Sequence, residues 1–150
     1  RIIPIYEGTT AIQSNDLIGR KVLRDGGSTV GALFAQIDET VAALRATEGA
    51  VAVRVADRLA RAVEAARRAT DALLAFGPGR DASAVSVPYL MLLGTLSGGW
   101  MHALAVVAVA AHAEPAETDA ARLTDADFYS AHHLARVHAL AETVAVGEIA

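Results

Sequence analysis

The chain contains no cysteine, which removes disulfides and thiolate chemistry and fits a reducing compartment; a cytoplasmic protein is expected. It also lacks any excess of positive charge. With 13 Lys and Arg dispersed among 17 Asp and Glu, a net charge of -4 leaves no electrostatic footprint for DNA or RNA, and no nucleic-acid partner is expected. Strand-like alternation is almost absent, so no part of the chain reads as a β-domain. No strand precedes a Gly-rich phosphate loop, and no Ser-His-Asp order has supporting context. There is no charged segment followed by an apolar core and a cleavage site, as a signal peptide would have. The opening "RIIPIYEGTT" starts in mid-pattern, and a piece of a longer protein is expected.

What is present favours helix. At 150 residues and 53% hydrophobic, the chain is long enough for one well-buried domain and short for two. Alanine and straight-chain charged residues fill the stretches between glycine and proline breaks. A first helix is expected over about residues 10–24, closed by Asp25-Gly26-Gly27, with Ser28 or Thr29 capping the next. In that next segment Val30, Leu33, Phe34, Ile37, Val41 and Leu44 recur at helical spacing, up to a break at Glu48-Gly49. Val51, Val55, Leu59, Val63, Ala66, Thr70 and Leu73 repeat the pattern until Gly77-Pro78-Gly79. On the wet side of this third helix, Asp57 with Arg61 and Glu64 with Arg68 are one turn apart.

The fourth segment, "VPYLMLLGTLSGGWMHALAVVAVAAHA", has Pro88 near its first turn and no charged residue between Asp81 and Glu114. Its length satisfies a membrane span, and Gly94 with Gly98 forms a small-xxx-small pattern. The neighbouring helices, however, have apolar faces that need a partner, and His102 and Gly99 suit a lipid face poorly. A central helix surrounded by the others is expected, with no membrane span. After a polar loop at Glu114-Pro115, a last helix is expected from the Thr124-Asp125-Ala126-Asp127 start to about Val146, burying Leu134, Val137, Ala141 and Val144. The fold class is therefore all-α, an antiparallel helical bundle of about four to five helices with short connections.

Five histidines invite a metal reading. His132 and His133 are adjacent, about 100° apart on a helix, and His133 and His138 are not three or four apart, so no metal site is expected. Tyr89 and Trp100 read as core or interface aromatics whose polar tips need partners. Arg67-Arg68 reads as a solvated face whose stems cover apolar surface.

The chemistry returns to the opening stretch. "IYEGTTAIQSNDLIGR" resembles the segment near the end of acyl-CoA dehydrogenases in which a Tyr-Glu-Gly-Thr turn precedes a helix bearing Ile-Gln; Tyr6, Glu7, Gly8, Thr9, Ile12 and Gln13 fall in place. "GRKVLRDGG", "YLMLLGTLSGGWM" and "DFYSAHHLARV" resemble the branch of that family with an additional helical region after the catalytic core. The resemblance implies that residues 1–27 end the family's C-terminal helical domain, including the catalytic turn, and that residues 28–150 form the additional helical bundle.

It further implies that Glu7 is the base removing the α-proton of an acyl-CoA thioester, while a β-hydride passes to FAD and a trans-2-enoyl-CoA forms. Such a base needs a pKa raised by desolvation and a site that stabilises the enolate. Gly8 would let the substrate approach the backbone beside the base. Thr9 and Thr10 would contact the flavin, and Ala11 stands where many members have a glutamine among the flavin contacts. An electron-transfer flavoprotein or similar acceptor would take the electrons, and a homo-oligomer is expected. The isolated chain should be inactive. A non-catalytic helical oligomerisation or interaction module is the alternative, and a plain turn with an N-cap is the alternative for Glu7 to Thr10 taken alone.

Overall fold

A computed structural model describes residues 3–112, 114 and 116–147, with side chains from Thr9 onward. Helix α1 (Ile3–Asp16) runs into a π-helical segment (Leu17–Leu23), followed by α2 (Ser28–Ala46), α3 (Ala50–Phe76), α4 (Arg80–Ala84), α5 (Ser86–Ala110), α6 (Asp119–His132) and α7 (Arg136–Val146). The fold is an all-α bundle with no strand among the described residues. It has more elements than the four or five helices expected: two of those are broken where side chains turn inward, and the short α4 precedes α5.

The opening helix is one such place. It begins at Ile3 rather than near Thr10, so the Tyr6 to Thr9 stretch expected as a turn belongs to α1. Its residues, Pro4, Gly8, Thr9 and Thr10 among them, are weak helix formers, and the packing of α1 against α5 supports the helix that propensity alone does not. The following turns then widen to π geometry, which brings Ile18 and Val22 inward, both 3% exposed, while Arg20 and Lys21 stay in solvent. The second place is the last helix, which starts at Asp119 rather than Thr124 and breaks at residues 133–135. There Leu134 turns into the bundle and is buried against Gly99.

The caps also differ from expectation. Gly26 and Gly27 take left-handed φ of 64° and 80°, as a helix-closing pair should. Neither Ser28 nor Thr29 caps α2 through its side chain; Asp25 does so, accepting the backbone N–H of Gly27 and of Thr29 at 3.0 Å each. Two residues upstream, its carboxylate reaches back over the turn that the glycines make. Hydrogen bonds from Thr29 and from the backbone hold this carboxyl below its ordinary pKa.

The core sits between α3 and α5, each of which packs on α2, α6 and α7. The inner face of α2 is the expected one, Val30, Phe34, Ile37, Val41 and Leu44, with Leu33 half-buried. In α3 the buried positions include Ala52, Ala56, Ala62, Ala65, Ala66 and Ala69, whose small side chains let several helices approach one stem. Helix α5 contributes Leu92, Leu96, Ala103 and Val106. Both aromatic tips find partners: Tyr89 Oη meets Thr70 Oγ1 at 2.9 Å, and Trp100 Nε1 donates to Thr40 Oγ1 at 2.8 Å. Full burial pushes the Tyr89 phenol up to about 12.

Helix α5 is long and apolar enough to cross a membrane by length and composition alone. It packs here against α1, α2, α3, α6 and α7, yet it is not surrounded as expected, since Val87, Met91, Met101 and Leu104 are 37–52% exposed. Its closest approaches fall at the paired glycines. A Cβ on Gly98 would lie 2.2 Å from Tyr129 Oη, and one on Gly99 would lie 2.4 Å from Leu134 Cδ1, whereas one on Gly94 would meet nothing within 4 Å.

These distances separate three alanine substitutions. Gly94→Ala should gain about 0.5–1 kcal/mol from helix propensity. Gly98→Ala and Gly99→Ala should lose stability, because overpacking costs about 1–3 kcal/mol and outweighs that gain. Urea unfolding of the three variants reads the difference directly; equal gains at all three positions would show that the contact with α6 and Leu134 is not close.

Candidate functional site

Glu7 and Gly8 lie in the backbone of α1, but their side-chain positions are outside the described residues. Thr9 is exposed and Thr10 half-buried further along the same helix. What the structure places clearly is the anchor of this segment. Ser14 is fully buried, accepts or donates a 3.1 Å bond with Ser86 Oγ at the start of α5, and donates to Ala11 O at 2.9 Å. Asp16 and Arg20 are paired at 2.7 Å on the outer side. The segment carrying Glu7 is thus held to the bundle through α5.

For a flavin, two adjacent threonines on a single helical turn offer an edge contact and no enclosure. The clefts described here lie elsewhere, between α3, α6 and α7, along the α2–α3 groove and beside α5. A flavin would therefore need walls from another segment.

The strongest polar cluster joins α3 to α6. The Asp127 carboxylate accepts from Arg54 Nη2 at 2.5 Å and Arg54 Nε at 3.1 Å, and from Arg58 Nη1 at 2.7 Å. Arg58 Nη1 also donates to Ser130 Oγ at 3.0 Å. Two guanidiniums on one carboxylate, Arg54 first, hold Asp127 down at about 2 and raise Arg54. Asp127, expected at a helix start, is instead a mid-helix clamp. Beside it opens a cavity of about 290 Å³ lined by Arg58, Arg61, Ser130, Leu134 and His138. The expected Asp57–Arg61 pair does not form among the described residues, while Glu64 and Arg68 meet at 3.4 Å. Arg67 is not merely solvated: it pairs with Asp38 and lies over the Phe34 ring at 5.4 Å, tying α2 to α3.

His102, His132 and His133 form ring contacts. His102 and His133 flank Tyr129, with ring centroids 4.7 and 4.9 Å away, and Phe128 lies 4.5 Å from His132. Among the described residues no three His, Asp or Glu side chains gather as metal ligands. His112 Nδ1 lies 3.0 Å from Asp119 Oδ2, which also accepts Ala116 N–H at 2.8 Å. These bonds, the one from His112 foremost, hold Asp119 below the ordinary carboxylate range. Asp119 is thereby the acid at the start of α6, the role expected for Asp125 and Asp127.

Comparison with known proteins settles the class. The family profile described as "Acetyl-CoA dehydrogenase C-terminal like" matches residues 33–149. The chain belongs to this family of acyl-CoA dehydrogenase C-terminal regions. It is 48% identical over 134 residues to 3-methylmercaptopropionyl-CoA dehydrogenase of Ruegeria pomeroyi, covering 87% of this chain and 21% of that protein. It is 34% identical over 124 residues to the broad-specificity linear acyl-CoA dehydrogenase FadE5 of Mycobacterium tuberculosis, covering 74% of this chain and 19% of that protein. The chain thus spans about a fifth of the length of these relatives. No solved structure matches it significantly.

The Asp127 clamp has a pH signature. A carboxyl held near 2 in the fold, against 3.8 ordinarily, adds stability that is complete above about pH 5 and is lost as pH falls through 4 toward 2. Asp127 is 30% exposed. After solvent screening, Asp127→Asn should cost about 1 kcal/mol at pH 6 and close to nothing at pH 2. Urea titrations of both proteins across that range test it; a cost independent of pH would remove the electrostatic explanation.

Proposed function

We propose that the chain is the C-terminal part of a flavin-dependent acyl-CoA dehydrogenase, with Glu7 as the base that takes the α-proton of an acyl-CoA thioester. The observation that carries this reading is the family relationship over residues 33–149 joined, in one chain, to the Tyr6-Glu7-Gly8-Thr9 segment just ahead of it. Residues 1–27 would end the catalytic helical domain and residues 28–150 would form the appended bundle. Anchoring of α1 on α5 through Ser14 and Ser86 supports a role for the bundle in holding the Glu7 segment in place.

In this reading Glu7 receives the α-proton as the β-hydride leaves, and a trans-2-enoyl-CoA results. FAD, when bound, supplies the hydride acceptor. Gly8 would leave the backbone open to the thioester, and Thr9 and Thr10 would help hold the flavin together with residues of a longer protein. An electron-transfer flavoprotein or a similar acceptor would be the partner that takes the electrons. The 150 residues alone have no activity in this scheme. The names of the relatives suggest two substrate groups to try first, a short thioether-bearing acyl-CoA and linear acyl-CoAs.

The test is anaerobic bleaching of the flavin in a longer protein ending in this chain, with 3-methylmercaptopropionyl-CoA and a series of linear acyl-CoAs. Rapid bleaching by one of them should fall by about 10²–10⁴-fold in Glu7→Gln, with flavin content unchanged, the range a general base typically contributes. Equal bleaching in the variant would remove Glu7 from the mechanism. Absence of bound flavin would favour a non-catalytic interaction module.

A further inference from the structure

The break between α6 and α7 leaves the cavity of about 290 Å³ against α3, and its lining runs against the charge of the chain. Arg58 and Arg61, three residues apart on one face of α3, supply one wall. Ser130 comes from the last turn of α6, Leu134 and Ala135 from the break, and His138 from the first turn of α7. Acidic residues outnumber basic ones by 17 to 13, yet no carboxylate lines this cavity and every titratable group in its wall is a base.

Much of the donor capacity there is unused. Arg58 bonds Asp127 and Ser130 through Nη1 alone, so its Nε and Nη2 make no bond among the described residues. Arg61 and His138 have no hydrogen-bond or ion-pair partner among them either. Because Arg54 and Arg58 share the single carboxylate of Asp127, the clamp keeps a net positive charge. It also fixes the Arg58 guanidinium before any ligand arrives, which lowers the ordering cost of binding. Helix α7 begins beside the cavity without a side-chain cap, and a helix start favours negative charge. Leu134, 1% exposed, adds an apolar wall beside which charged hydrogen bonds are less screened by water.

We propose that this cavity is a binding site for a phosphate group, presented either as free phosphate or as the end of a small phosphomonoester. A phosphate dianion balances the charge of Arg61 and the uncompensated charge of the clamp. Its several acceptor oxygens can take donors from Arg58, from Arg61 and from an N–H of His138. The volume lies near the lower end of the range for small-molecule pockets, which suits a group of this size. The proposal rests on α3, α6 and α7 and not on the dehydrogenase chemistry, so either can fail without the other.

The test is titration of the 150-residue chain with inorganic phosphate and with glycerol 3-phosphate at constant ionic strength, read by calorimetry and by amide NMR shifts. Saturable binding with a dissociation constant below about 1 mM is expected, with the shifts centred on Arg58, Arg61 and residues 134–138. Arg61→Gln and His138→Gln should each weaken it by roughly 10-fold, the loss of one charge-assisted hydrogen bond. Arg45→Gln, at an exposed arginine on α2, should leave it unchanged. Neither cavity variant alters the Asp127 clamp, and unchanged circular dichroism separates lost binding from lost folding. Glycerol 3-phosphate binding at least as tightly as inorganic phosphate assigns the site to the end of a phosphomonoester; weaker binding assigns it to the free anion. No saturation by either up to about 10 mM, or binding that Arg61→Gln leaves intact, overturns the proposal. Acetate binding as tightly as phosphate overturns it too, since the lining would then be selecting a single negative charge.

Discussion

The packing of α5 is the constraint on which the other elements depend. A 25-residue helix without charge cannot be left to solvent on all sides, and the other α-helices use it as a wall. Its glycines decide where the wall is deepest. Because Gly98 and Gly99 have no side chains, Tyr129 and Leu134 can enter, and α6 must break before α7 for Leu134 to do so. The kink between the last two helices is thus a consequence of a packing requirement on the fourth sequence segment.

Polar bonds then fix how the apolar faces are set against one another. Thr40 holds Trp100 and Thr70 holds Tyr89, each joining α5 to a different helix through a bond whose loss in a dry core would leave an unpaired donor. At the rim, Asp127 binds two arginines of α3 and Asp25 closes the turn before α2. The same logic reaches the Glu7 segment, since Ser14 and Ser86 are where α1 meets α5. A helix that organises the bundle is also the one that seats the segment proposed to carry the chemistry.

Much of this was legible in the sequence because it is local. The inner face of α2, the stop at Gly26-Gly27 and the break at Gly77-Pro78-Gly79 follow from spacing and from backbone preference, and the structure has them. What periodicity could not show depends on residues far apart. Arg54 and Asp127 are 73 positions from each other, so nothing near Asp127 distinguishes a clamp from a helix start. The π turns before Leu23 arise from the need to bring Ile18 and Val22 inward against elements later in the chain. Ser28 and Thr29 look like caps, but the left-handed glycines before them carry Asp25 into that position instead. Of the proposed site, the Glu7 to Thr10 motif was readable by resemblance, while no cleft that would enclose a flavin is seen beside Thr9 and Thr10 among the described residues.

Amide hydrogen exchange tests most directly the claim that α5 organises the fold. If α5 is the common wall, amides of its inner face at Leu92, Leu96, Gly99, Ala103 and Val106 open only with global unfolding and are the slowest in the chain along with those of α3. Faster exchange there than in α6 and α7 would mean that α5 detaches while the rest persists. The bundle would then be held by α2, α3 and α7, contrary to this account.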